Sequence, residues 1–270
     1  LLLQSHSLPH RRAGDWLGIR WVSRLLKQSK IKRQAENFQG KDSQGKERHF
    51  FTVSQTVKND YVQNFNLSPH QVNVVYPGVS TAGISNILSI SHPLVVGIVN
   101  SRSLNKGGLL FLMVMGVLKL CGYSFRVRMI HPQWDRDILS QSLVTLFQLN
   151  NSIEILPFQA DMTSFYAKID ALVLPSLNEA FGLVVLEAMA LGVVPIVSSS
   201  AGVAELIRHG ENGLSFNRKR FPFWSLFQTM KHVLRLNEDE LSRLKNNALQ
   251  SSHAYTWQGF GERLLEALFP

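Results

Sequence analysis

The 270-residue sequence has one cysteine, Cys121, so no intrachain disulfide can form and no cysteine cluster can hold a metal. Apart from His6, its histidines form no H-x-x-x-H or H-x-x-E-H pair, and a zinc site finds no support. No apolar run reaches the roughly 18 residues that a membrane-spanning helix needs. The longest, 109–120, reads as a buried helix. There is no basic-then-apolar signal segment, no internal repeat and no low-complexity tract. Leu1 stands where an initiator Met would, so a fragment or truncated product is expected, and the cysteine count suits a reducing cytoplasm.

Acidic residues are scarce, 19 against 28 Lys and Arg, for a net charge of +9. The imbalance is local: residues 1–60 hold 12 Lys or Arg and 5 Asp or Glu, leaving +2 for the rest. Between 11 and 48 the cations lack the interleaved aromatics of single-strand binders. Nucleic acid is therefore not expected, and the stretch reads as a solvated face or a peripheral contact with anionic membrane on its inner side.

A 45% hydrophobic composition and this length allow one or two domains with a buried core. Short apolar runs alternate with helical spacing. Strands are predicted at 50–53, 72–75, 94–99, 125–130, 153–156, 171–174 and 194–197. Helices are predicted at 55–64, 108–121, 135–149, 162–168, 182–191, 203–208, 221–236, 238–250 and 258–268. The alternation predicts a doubly wound parallel sheet with helices on both faces. The Ser-rich, weakly periodic stretch 80–92 reads as an interdomain connection.

Residues 174–195 carry most of the functional signal. The apolar strand 171–174 leads through Pro175-Ser176 and Glu179-Ala180-Phe181 to Gly182, where helical spacing begins, and Glu187 follows about one turn later. Ligands of open parallel sheets lie beyond the carboxyl ends of the strands, where a following helix offers unpaired N–H groups and its positive dipole end. An anion such as a diphosphate fits there, and a carboxylate beside it can accept from vicinal hydroxyls. The loop and helix suit a sugar linked to a nucleotide.

In these residues, Pro175-Ser176, Glu179, Phe181-Gly182 and Glu187-Ala-Met-Ala190 with Gly192, the chain resembles the retaining glycosyltransferases of family 4, which have the GT-B fold. The resemblance implies an α/β chain with a complete C-terminal Rossmann-like doubly wound parallel sheet (83–252) and a partial N-terminal, acceptor-side domain (1–82). A C-terminal helix (253–270) would cross back to that domain. It further implies transfer from a nucleotide-sugar donor with retention, in cell-envelope or polysaccharide biosynthesis, without cofactor or metal and without an agreed protein nucleophile. The acceptor would be a glycan, a lipid or a small molecule.

Carried over residue by residue, Glu179 meets the donor sugar and Glu187 the ribose, with Ala180, Phe181, Gly182 and Leu183 around the diphosphate. Gly97 stands after the first strand where the family has G-R, but Ile98 occupies the arginine position. Lys106, before Gly107-Gly108, matches the family's K-G, and Arg102 substitutes for the missing arginine. Both cations would stabilise the leaving diphosphate. Glu205 closes a stretch similar to S-x-x-G-G-x-x-E, with Val203 at the second glycine, and suits either the donor or the start of its own short helix. His131, with Trp134, stands near the base pocket, and His6 follows an apolar run as a sugar-side histidine does in several members. The open alternatives are a truncated, non-catalytic donor-binding domain, or an epimerase or phosphorylase on the same fold.

Overall fold

The computed structural model describes residues 47–65, 67–80, 90–100 and 104–268. His6, Arg102, most of the basic stretch and most of the 80–92 connection lie outside the described residues.

Two units of sheet are present. A small one pairs β1 (Phe50–Thr52) in parallel with β2 (Val72–Val74), joined through α1 (Gln55–Phe65). The larger one contains β3 (Val95–Val99), α2 (Gly108–Leu120), β4 (Arg126–Ile130), α3 (Ile138–Leu146), β5 (Ile153–Leu156), α4 (Thr163–Tyr166) and β6 (Ala171–Leu174). It continues through α5 (Leu183–Ala190), β7 (Val194–Ser198), β8 (Leu214–Phe216), α6 (Pro222–Val233), α7 (Glu238–Ser252) and α8 (Trp257–Leu268). Its six strands are all parallel, in the order β5-β4-β3-β6-β7-β8. The chain therefore winds outward one way from β3 and then the other way from β6, and the crevice between those two strands is the switch point at which such sheets bind ligands.

Burial on both faces explains the unbroken apolar runs. Along β6, Ala171 and Val173 join the core under α2 and α6, around Phe111, Met115, Leu226 and Met230. Leu172 and Leu174 join the opposite core with Phe165, Val185, Leu186 and Met189. Two elements differ from expectation. The helix predicted over 135–149 is broken: a 3-10 turn at Trp134–Arg136 precedes α3, and Gln148 takes a left-handed φ of 52° before another 3-10 turn. The helix predicted at 203–208 is a 3-10 turn, Gly202–Leu206, and the edge strand β8 was not expected at all.

The C-terminal segment meets the small unit. The Val79 amide donates to the Tyr255 carbonyl at 2.8 Å, and Arg263 Nη2 donates to the Tyr76 carbonyl at 3.4 Å. No helix among the described residues is long and apolar enough to cross a membrane.

Candidate functional site

The loops after β3, β6 and β8 converge on Pro175. The Leu177 amide donates to the Asn105 carbonyl at 2.7 Å, which joins the first two loops. Arg218, just after β8, donates from Nε to the Pro175 carbonyl at 3.0 Å; burial pulls its guanidinium below the usual arginine value. Gly107 caps α2 with φ 75° and lies so close to Pro175 that a Cβ would collide with that carbonyl. Glycine is needed here both for the left-handed turn and for the approach.

This convergence brings together two of the expected residues. Lys106 ends a 3-10 turn, and its Nζ donates to Glu179 Oε2 at 2.7 Å, with the lysine 42% and the glutamate 19% exposed. Ser176 Oγ donates to the same oxygen at 3.3 Å. The backbone of Glu179 to Phe181 is fixed by three hydrogen bonds: the Gly202 amide donates to the Glu179 carbonyl at 3.0 Å, Ser54 Oγ to that of Ala180 at 2.7 Å, and the Val203 amide to that of Phe181 at 2.8 Å. Phe181 is buried against Tyr76, so its ring braces the loop and Ala180 is left exposed.

Gly182 then opens α5 with φ 104° and ψ 58°. The first-turn amides of such a helix have no intrahelical partner and, with the dipole, favour an anion. Glu187 lies in the second turn, half-buried, and accepts from the Tyr166 hydroxyl at 2.7 Å. Tyr166 was not singled out from the sequence. Among the described residues no three His, Cys, Asp or Glu side chains are grouped to hold a metal.

Three expected residues sit elsewhere. Gly97 is in the middle of β3, paired with Arg128 and Leu172, where a side chain would strike Ile169. It serves strand and helix packing below the crevice. His131 follows β4 but its side chain is fully buried, with Nε2 2.9 Å from Asp137 Oδ2, its Nδ1 unpartnered, and Trp134 edge-on at 5.6 Å. Burial alone would raise the Asp137 carboxyl; hydrogen bonds from Ser140 and His131 outweigh it and hold it below the ordinary value. The pair supports the cap of α3 instead of lining a pocket. Glu205 caps neither its own turn nor the crevice: its carboxylate accepts from the amides of Gln55 and Thr56 at 2.8 and 2.7 Å, from Thr56 Oγ1 at 2.8 Å and from Tyr76 OH at 3.0 Å.

The sheet order and the motif that straddles its switch point agree with known proteins. Residues 93–221 match the family described as Glycosyl transferases group 1. This six-stranded domain is similar to the group 1 glycosyltransferases. An uncharacterized glycosyltransferase of Methanocaldococcus jannaschii is 25% identical over 178 residues, covering 60% of this chain and 45% of the relative. A D-inositol 3-phosphate glycosyltransferase of Rhodococcus jostii is 30% identical over 117 residues, 43% of this chain and 25% of the relative. The chain thus spans less than half the length of these relatives. Among solved structures, Anabaena HepE in complex with UDP and glucose superposes with a TM-score of 0.73 at 20% identity, covering 89% of this chain and 67% of HepE. At that identity the likeness shows the fold, which is GT-B. In this domain Lys106 and Glu179 occupy facing loops of the switch point, and Glu187 stands one helical turn beyond the anion-favouring start of α5.

Proposed function

We propose that this chain supplies the donor side of a retaining glycosyltransferase, moving a sugar from a nucleoside diphosphate to a glycan, lipid or small-molecule acceptor. The observation that carries the reading is the 2.7 Å pair of Lys106 and Glu179 at the switch point, beside the left-handed start of α5 at Gly182. In the transfer, the bond from sugar C1 to the diphosphate oxygen breaks and the acceptor oxygen bonds to C1, its proton passing to the departing diphosphate. Charge grows on the departing diphosphate. Lys106 and the amides of Gly182 and Leu183 stabilise it, a contribution that preorganised donors make without moving. Glu179, released from Lys106 by the incoming phosphate, accepts from a sugar hydroxyl, and Glu187 accepts from the ribose. Lys106 and the helix amides offset part of the diphosphate's charge. The GT-B neighbour HepE was solved with UDP and glucose, which favours uridine donors as the first to test.

A calorimetric panel of UDP, GDP and ADP sugars on this chain tests the donor. One nucleotide should bind, and Glu187→Ala should weaken it by roughly tenfold, about 1.4 kcal/mol. Unchanged affinity in that variant removes the ribose assignment. Lys106→Ala should lower turnover more than affinity, since its charge acts on the leaving group. Nucleotide-sugar turnover without an acceptor would indicate an epimerase instead.

A further inference from the structure

The connection from β8 into α6 touches the site loop through Arg218, and the residues beyond it have an unusual composition. From Asn212 to Asn237 the chain holds Arg218, Lys219, Arg220, Lys231 and Arg235 and neither Asp nor Glu, a charge of +5 in 26 residues. Three of these cations are consecutive, at the turn between Phe216 and Pro222. Immediately after them, Phe221 is 70% and Trp224 58% exposed. Phe221 caps α6 and Trp224 lies in its first turn, so the two rings form an exposed face at the start of the helix.

The turn is built to hold that face outward. Asn217 Oδ1 accepts from the amides of Lys219 and Arg220 at 3.0 and 2.9 Å, and the Asn217 amide donates to Ser225 Oγ at 2.8 Å. Trp224 is stacked on Phe227 at 5.5 Å and 16°. Phe221 has a φ of 49°, a left-handed conformation that suits Gly or Asn and strains a bulky side chain. Such strain in a side chain that is itself largely outside the core points to use at the surface.

We infer that this turn docks the protein on an anionic lipid bilayer, with Phe221 and Trp224 entering the boundary between headgroups and acyl chains and Lys219 and Arg220 meeting lipid phosphates. Interfacial binding of this kind grows with buried apolar area and with attraction to anionic lipid, and tryptophan favours that depth. A rigid tip loses little conformational freedom on insertion. Base stacking, the alternative use of basic and aromatic residues, needs open ring faces. Here the Arg220 guanidinium lies over the Phe221 ring, 5.6 Å from its centroid, and Phe227 covers one face of Trp224, so each ring has at most one face left for a base. Arg218 ties the turn to Pro175, next to Ser176, so a docked molecule holds its crevice near the bilayer. The inference does not depend on the donor reading, because no nucleotide takes part in the contact.

Flotation of the full chain with phosphatidylglycerol-containing and pure phosphatidylcholine vesicles tests it. Cations in residues 1–60 also attract anionic lipid, so the decisive comparison is with the rings removed. Phe221→Asn combined with Trp224→Gln should lower partition onto anionic vesicles at least tenfold with an unchanged melting temperature, since Asn tolerates the left-handed position. Lys219→Glu with Arg220→Glu should lower it similarly and serves if the first variant does not fold. Brominated acyl chains should quench wild-type fluorescence more than that of Trp224→Phe. Wild-type partition in both double variants, or equal quenching, overturns the inference. So does a single-stranded RNA that binds the wild type and is lost with the ring variant, or a wild-type dimer in sedimentation that the ring variant dissolves.

Discussion

Glu187 is oriented by a neighbour that carries no charge. Tyr166 projects from α4 and donates to Glu187 Oε2 at 2.7 Å, and it is almost wholly buried. Burial, then the hydrogen bond to Glu187 and its charge, push the phenol well above its ordinary value, so it remains a donor throughout the working pH range. With one oxygen held, the carboxylate is kept from turning away while its other lone pairs stay open to a diol. Tyr166→Phe removes the donor and little volume. It should weaken nucleotide affinity by about 2- to 13-fold, the value of a hydrogen bond of about 0.5–1.5 kcal/mol. The loss should appear in KM more than in kcat, with little change in melting temperature. Calorimetry and steady-state kinetics read both, and unaltered affinity would show that Glu187 holds its position unaided. Glu187 could be found in the sequence because it lies in a motif at fixed distance from Glu179. Tyr166 could not, because a tyrosine ahead of a buried strand has the pattern of a core residue and its partner is 21 positions away.

At the scale of elements, Glu205 shows how the small unit is fixed to the large one. Its side chain leaves the 3-10 turn Gly202–Leu206 and satisfies the first amides of α1, donors that a helix cannot pair internally. The adjacent Ser54 hydroxyl meanwhile reaches the Ala180 carbonyl, so the start of α1 and the loop of Glu179 are held as one piece. The contact is exposed, and its stability value is that of a helix cap, about 1 kcal/mol. Glu205→Ala should lose this amount in urea unfolding and should also loosen Tyr76. Burial, followed by the bond to Glu205 and its charge, pushes the Tyr76 phenol up to about 12. A raised value means that the tyrosine's contribution is complete below its ordinary value of about 10 and is lost as pH rises through about 12. Alkaline unfolding of the wild type should therefore steepen above about pH 10, and Glu205→Ala should flatten that slope; identical slopes would separate Tyr76 from Glu205. The cap was hidden in the sequence because its partners lie about 150 residues upstream. The edge strand β8 was hidden for a different reason, since three residues after a turn are too few to show alternation.

For the whole molecule, the switch point depends on how β3 and β6 are fixed at their opposite ends. The strand order and the two-faced cores were legible from the run of short apolar segments, because parallel strands buried on both sides leave that pattern. A charged pair that pins them was not legible. Asp170, just ahead of β6, accepts from Lys245 Nζ of α7 at 3.2 Å, from the Val95 amide at 2.9 Å and from the Ser91 amide at 3.3 Å. Both side chains are sealed, the lysine 1% and the aspartate 2% exposed. This cluster joins the first residue of β3, the entry to β6 and the middle of α7 at the end of the strands away from the crevice. Removing one partner leaves a desolvated charge, which costs about 3–5 kcal/mol, whereas replacing both with neutral groups of similar volume can be nearly free. Asp170→Ala and Lys245→Met should each fall in that range by urea unfolding. Lys245→Met with Asp170→Asn should recover most of the loss, because the amide of Asn still accepts from Val95. Nucleotide affinity of the folded double variant should match the wild type, since the pair lies at the far end of the strands. Single variants that cost less than about 1 kcal/mol would mean that water reaches the pair when the chain moves. Strictly additive losses would mean that Asp170 acts through the two amides, with the lysine held by α7 alone.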